Sequence, residues 1–136
     1  MKIKLDEGAF VPTRAHATDA GLDVYAIKDG IVKAGQSAVF HTGVHIQAPH
    51  ETMGDVRPKS GLMFNHDILT FGTVDEGYDG EVMVKMFNLS GEDFNVHRGD
   101  KITQIAIVDV RYEDPEIVGD ISGGDRGARG FGSTGR

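Results

Sequence analysis

Short runs of β-branched and apolar residues recur along the chain, separated by Gly, Pro, Asp and Asn, at residues 22–27, 37–40, 44–47, 68–71, 81–87 and 102–110. In Val44-His45-Ile46-Gln47 and Val82-Met83-Val84-Lys85-Met86 apolar and polar positions alternate, the period of a strand with one buried face. Runs of this length and spacing predict an all-β fold of the sandwich or jelly-roll kind. No long amphipathic helical period interrupts them. The pattern allows at most a short helical turn over residues 60–65, with Ser60 near its start.

The alternation ends well before the C-terminus. Residues 119–136 carry glycine at 119, 123, 124, 127, 130, 132 and 135, and Phe131 is the only large apolar side chain after Ile121. Such a segment cannot pack against itself, so the chain divides into a β domain over 1–118 and a flexible Gly-rich arm over 119–136. Composition alone leaves two readings of the arm, a frayed end or a mobile cover for an anion. Gly130-Phe131-Gly132-Ser133-Thr134-Gly135 matches the dinucleotide-binding string G-x-G-x-x-G. That fingerprint needs a helix to follow, and Arg136 alone remains. What survives is a set of closely spaced backbone N–H groups beside two hydroxyls, with Arg126, Arg129 and Arg136 adding positive charge.

The chain has 136 residues, 39% of them hydrophobic, enough for one domain with an ordinary core. No apolar run approaches the ~18 residues of a membrane span, and Met1-Lys2-Ile3-Lys4-Leu5-Asp6 lacks the apolar stretch of a signal peptide. The expectation is a soluble, cytoplasmic protein with no membrane partner. Cysteine is absent, which excludes disulfides, thiol nucleophiles and thiolate zinc sites. A formal net charge of -7 argues against nucleic acid as a partner, since phosphate backbones are gripped by clustered Lys and Arg. Any phosphate site must therefore be local. The histidines give no convincing metal site, because His41 and His45 on one strand face would stand about 13 Å apart.

Three segments offer chemistry. Arg57-Pro58-Lys59-Ser60-Gly61-Leu62 brings two cations, a hydroxyl and a glycine together, which suits either phosphate binding or an ordinary Pro-Gly turn. Gly72-Thr73-Val74-Asp75-Glu76-Gly77-Tyr78-Asp79-Gly80-Glu81-Val82 reads as strand, acidic turn, strand. There Asp75 is either a general base for water or an acceptor for turn N–H groups. Ala20-Gly21-Leu22-Asp23-Val24-Tyr25 places an acid in an apolar strand, so Asp23 requires a partner, either a hydrogen-bond donor or a cation such as Mg²⁺.

Taken in order, these segments resemble the homotrimeric dUTPase family across nearly all of the chain. The five family motifs are matched by Ala20-Gly21-Leu22-Asp23, by Arg57-Pro58-Lys59-Ser60-Gly61-Leu62, by the segment from Gly72 to Glu81, by Arg98-Gly99-Asp100-Lys101-Ile102-Thr103-Gln104 and by the tail from Arg126 to Gly135; the Thr42-Gly43-Val44 turn is also similar. The resemblance implies a distorted jelly roll, a homotrimer with shared active sites, dUTP as substrate, and Mg²⁺ as cofactor held by Asp23 through water. Asp75 would be the general base directing water at the α-phosphorus, in a reaction that yields dUMP and pyrophosphate. Tyr78 would pack beneath the deoxyribose and reject a 2′-hydroxyl, and backbone groups around Thr73, Val74 and Met83 would read uracil. Lys59, Ser60, Gly61 and Gln104 would contact the phosphates. Arg126, Gly132, Ser133 and Thr134 would close the arm on them while Phe131 stacks on the base.

The chain departs from the family at three places. Lys59 stands where Arg is common, an Asn-containing insert before Gly72 is missing, and Arg129 replaces a common glycine in the tail. The nearest rival of the same fold is a dCTP deaminase, alone or bifunctional, against which the Tyr78-Asp79-Gly80-Glu81-Val82 run speaks. A rival of another class is a nucleotide-gated interaction protein, against which the retained Asp75 speaks.

Overall fold

Two apolar clusters organise the chain in the computed structural model, which describes residues 1–129. The elements in order are β1 (Lys2–Leu5), β2 (Gly21–Tyr25), β3 (Gly30–Val32), β4 (Ser37–Phe40), β5 (Val44–Gln47), β6 (Thr52–Arg57), α1 (Ser60–His66), β7 (Ile68–Thr70), β8 (Gly72–Val74), β9 (Val84–Asn88), β10 (Phe94–Val96) and β11 (Lys101–Asp109). One four-stranded sheet runs β2-β11-β6-β8, a three-stranded sheet runs β4-β9-β7, and β1-β5 and β10-β3 form two-stranded ribbons. Every pairing is antiparallel. The all-β, jelly-roll-like fold expected from the apolar runs is therefore present. Among the described residues no helix is long and apolar enough to cross a membrane.

The strand β11 ties the two clusters together. Its Ile105 packs with Val24, Val44, Ile46, Val56, Val74 and Val82, while its Ile102 joins a second cluster that includes Ile68, Val84 and Met86. Because facing residues on paired strands share a face, the register sorts the four-stranded sheet into two sides. The row Leu22–Ile105–Val56–Gly72 lies on the apolar side. The rows Asp23–Gln104–Arg57 and Gly21–Ala106–Asp55–Thr73 lie on the other, so one face builds the core and the other carries the polar chemistry.

The structure adjusts several expected boundaries. The first run ends at Tyr25 rather than residue 27, because beyond it Ala26 bonds to the loop through Asp100 O. The helix over 60–65 extends one residue to His66 and stops at Asp67, which takes the left-handed conformation with φ 54°. The strand expected over 81–87 starts only at Val84, since Val82 N–H is drawn to Val44 O instead. The two arms around Asp75 consequently do not pair with each other: β8 pairs with β6, and β9 with β4 and β7. Strands β7 and β8 are separated by Phe71 alone, yet they belong to different sheets.

Where the sheets meet, buried hydroxyls replace ladder contacts. The Thr70 and Thr103 side chains, both buried, lie 2.8 Å apart, and Thr103 Oγ1 also donates to Arg57 O at 2.8 Å. Replacing Thr103 by the nearly isosteric Val removes these bonds without opening a cavity. Thr103→Val should cost about 1–3 kcal/mol, the penalty for buried polar groups left without partners. The check is a lowered urea midpoint at constant slope; an unchanged midpoint would show that the hydroxyl pair is energetically idle.

Candidate active site

The polar face and the edge of the four-stranded sheet hold two separate clusters. At the β2 edge, Asp23 is only 6% exposed. Its Oδ1 accepts from Lys59 Nζ, and its Oδ2 from Lys101 Nζ at 2.7 Å. Burial alone raises the Asp23 pKa, but the ammonium groups of Lys101 and Lys59 outweigh it and hold the carboxylate below its ordinary range. Gln104, directly opposite Asp23, donates through Nε2 to Pro58 O at 3.0 Å and so anchors the turn that presents Lys59. Ser60 and Gly61 follow on the exposed start of α1, and open space surrounds Gly61.

At the β8 edge a pocket of about 160 Å³ is lined by Phe71, Thr73, Val74, Tyr78, Met83 and Lys85, among others. Tyr78 O–H donates to Glu81 O at 3.0 Å, and the ring lies so close to Gly80 that a Cβ there would collide with it. The Glu81 carboxylate holds the back of this pocket. Its Oε1 accepts from the backbone N–H of Thr42 at 3.0 Å and of Gly43 at 2.8 Å, while Oε2 meets His41 Nδ1 at 2.7 Å. Gly43 adopts φ 64°, and a Cβ there would stand 2.8 Å from that of Ala9, so only glycine fits the turn. Burial raises the Glu81 pKa, yet His41 and the two N–H groups lower it overall.

Asp75 follows Val74 and is exposed. Its backbone carbonyl accepts Tyr78 N–H at 3.1 Å, closing the turn. Among the described residues no side chain or N–H group is bonded to its carboxylate, in contrast to the neighbouring Glu76, which accepts from His50, Glu51 and Tyr112. An exposed carboxylate of this kind is available to hold a water. His45, half-buried, bridges Asp6 and the Asp79 carbonyl, each at 3.0 Å. Among the described residues no group of three or more His, Asp or Glu side chains is arranged to hold a metal.

The structure thus brings Thr73, Val74, Tyr78 and Met83 together beside Asp75, and gathers Asp23, Lys59 and Gln104 beside Ser60 and Gly61. It does not join the two groups within one chain. The Asp23 group gathers across β2, β11 and the turn that leaves β6, and the Asp75 group lies along the edge strand β8 and the loop that leads to β9. Arg126 is exposed in a turn closed by Gly127 N–H on Gly124 O, while Phe131, Gly132, Ser133 and Thr134 lie outside the described residues. Three participants escaped the sequence reading: Lys101 as a second cation on Asp23, Glu81 as the brace of the pocket, and Glu76 as an acceptor of three bonds. Lys101 lies within a quoted motif, but a bulge between Lys101 and Thr103 breaks the alternation that would have revealed its direction.

A family model described as dUTPase matches residues 7–135. The chain belongs to the dUTPase family. A deoxyuridine 5'-triphosphate nucleotidohydrolase of Clostridium acetobutylicum is 45% identical over 99% of this chain and 96% of its own. The protein of the same name from Gloeothece citriformis is 43% identical over 97% and 93% respectively. Among solved structures, the dUTPase of Staphylococcus bacteriophage 80alpha with dUPNHPP superposes with a TM-score of 0.92 at 24% identity, covering 99% of this chain and 98% of that one. A mutant dUTPase from phage phi11 of S. aureus, which coordinates a structural Mg(II) ion, gives 0.80 at 23% identity, covering 88% and 96%. These two likenesses carry the fold; the family rests on the sequence matches.

The lowered pKa of Asp23 has a direct consequence. A depressed carboxylate contributes stability that is present above its unfolded pKa of about 3.9 and is lost as pH falls through its folded value. Asp23→Asn should therefore cost about 1–3 kcal/mol at neutral pH, where charged hydrogen bonds are lost, and should flatten the acid limb of stability below about pH 4. Chemical unfolding across pH 2–7 checks this. An acid limb identical to the parent's would show that the lysines do not stabilise the ionised form.

Proposed function

We propose that this dUTPase-family protein hydrolyses dUTP to dUMP and pyrophosphate, with Asp75 as the general base. The observation that carries the assignment is the exposed Asp75 carboxylate, without a protein partner among the described residues, next to the pocket lined by Thr73, Val74, Tyr78 and Met83. Asp75 takes a proton from water, and the water oxygen attacks the α-phosphorus. The bond from that phosphorus to the bridging oxygen breaks, and pyrophosphate leaves. Tyr78, held by its hydroxyl on Glu81 O, packs beneath the deoxyribose and leaves no space for a 2′-hydroxyl. The backbone around Thr73, Val74 and Met83 reads uracil.

Lys59, Ser60, Gly61 and Gln104 take the phosphates. Before substrate arrives Lys59 and Asp23 neutralise each other; a triphosphate competes for Lys59, and its departure leaves Asp23 able to accept from water. The donor set suits Mg²⁺ held in that way. Asp23 is a single carboxylate whose oxygens both face ammonium groups, so it fits a partner reached through water better than a directly bound ion, and Mg²⁺ retains several waters when it travels on phosphates. When bound, the ion would neutralise charge on the triphosphate.

The separation of the two groups, one around Asp23 and the Lys59 turn and the other along the β8 edge, supports a homotrimer in which each site is completed by a neighbouring copy. The division into a domain over 1–118 and an arm over 119–136 is part of the same reading. Arg126 with Gly132, Ser133 and Thr134 would grip the outer phosphates and Phe131 would stack on the base, excluding bulk water. The protein would work in the cytoplasm on free nucleotide.

Pyrophosphate release should be fastest from dUTP among dUTP, dTTP, dCTP and UTP, and should fall when Mg²⁺ is chelated. Asp75→Asn should bind dUTP normally and lose ~10²- to 10⁴-fold in kcat; turnover at the parental rate would remove Asp75 from its role. For Tyr78→Ala, the ratio of UTP to dUTP hydrolysis should rise. An unchanged ratio in a folded variant contradicts the steric account of sugar choice.

A further inference from the structure

Among the described residues the Asp75 carboxylate has no orienting partner, so the direction in which it points is set by its backbone. On one side that backbone continues into β8, where Val74 faces Gly54. On the other it continues into Glu76, whose carboxylate is engaged at both oxygens. Oε1 meets His50 Nδ1 at 2.9 Å, and Oε2 accepts the Glu51 N–H at 2.9 Å and the Tyr112 O–H at 2.6 Å. We infer that Glu76 is a positioning residue for Asp75, clamping the base-bearing turn to the 49–52 turn and to the chain just beyond β11. This inference rests on the assignment of Asp75 as the base.

The clamp is built from both sides. Glu51 adopts φ 58°, a left-handed conformation uncommon for a non-glycine residue. It is held there by its two backbone groups: its N–H on Glu76, and its carbonyl accepting Val110 N–H at 2.8 Å. A second contact reinforces the same turn, with Thr52 N–H and Oγ1 both on Pro49 O, at 3.2 and 2.8 Å. One carboxylate therefore connects three segments distant in sequence, and the residue beside it is the proposed base.

The electrostatics agree with the geometry. The Tyr112 hydroxyl, then His50 and the Glu51 N–H, hold the Glu76 pKa at about 2, so the clamp stays ionised wherever the protein is folded at ordinary pH. Tyr112 is pushed upward, chiefly by Glu76, with smaller contributions that include the Asp75 charge. The phenol thus lies within the field of both acids.

The test uses the full-length protein with dUTP and Mg²⁺, comparing the parent with Glu76→Gln and Tyr112→Phe. An amide keeps the size of Glu76 but turns one acceptor into a donor facing donors. Glu76→Gln should lower kcat about 10- to 100-fold, the scale set by misplacing a catalytic group by ~1 Å, while KM stays within about twofold. Tyr112→Phe removes one of three bonds at an exposed position and should give a smaller loss in kcat, again with KM preserved. Should Glu76→Gln not fold, the Tyr112→Phe result decides. An active parent whose folded variants keep the parental kcat, or lose kcat and KM together with thermal stability, overturns the positioning role alone. An inactive parent overturns the dUTP assignment and this inference with it.

Discussion

The Glu81 carboxylate holds the junction on which the pocket depends. Between residues 40 and 44 the chain leaves β4 and enters β5, and the backbone N–H groups of Thr42 and Gly43 turn inward there without a strand to bond. Both are satisfied by one side chain from the segment that precedes β9. The Thr42 hydroxyl returns the bond by donating to Val82 O at 2.6 Å, while accepting Val44 N–H at 3.1 Å. Unsatisfied N–H groups in a buried turn would each cost a substantial part of the stability of a domain this size. Because Tyr78 bonds to the carbonyl of the same Glu81, its ring inherits its position from this junction. Among the described residues no buried side-chain nitrogen or oxygen lacks a partner.

How much of this was legible in sequence depended on whether the signal was local. Alternation located β5 to the residue, because its inward positions are apolar and its outward ones polar; β4 was located by its short apolar run, although Val39 within it faces outward. The same test passed over β6, where Gly54 and Asp55 sit in mid-strand of Thr52-Met53-Gly54-Asp55-Val56-Arg57; the strand lies between two others and needs no apolar run to be held. Short strands β3 and β10 were missed for a related reason, since three residues cannot establish a period. The motifs brought out most of the proposed site. They could not reveal Glu76, whose bond to Tyr112 spans 36 residues, nor show that β8 and β9 belong to different sheets.

Charge is distributed unevenly, and the distribution matters more than its sum. A chain with formal net charge -7 would repel a triphosphate at long range, though salt screens this beyond about 8–10 Å. Close to Asp23 the balance reverses, with two lysines for one carboxylate. Holding those lysines against an acid keeps them ordered at the edge of β2 without leaving cations unpaired. In the phosphate-binding role proposed for Lys59, exchange of the Asp23 carboxylate for phosphate would cost less reorganisation than ordering a free lysine side chain.

The strand order of the main sheet also bears on how the protein is made. β11, the last strand, lies between β2 and β6, so neither of those neighbours can complete its pairing until the chain has been synthesised through Asp109. At about 5–20 residues per second, the 84 residues between Tyr25 and Asp109 take roughly 4–17 s to emerge. Throughout that interval β2, and from its own synthesis onward β6, present unsatisfied edges to a crowded surrounding. The sheet therefore assembles late, after most of the polypeptide has left the ribosome, and nascent-chain association is the hazard that this topology carries.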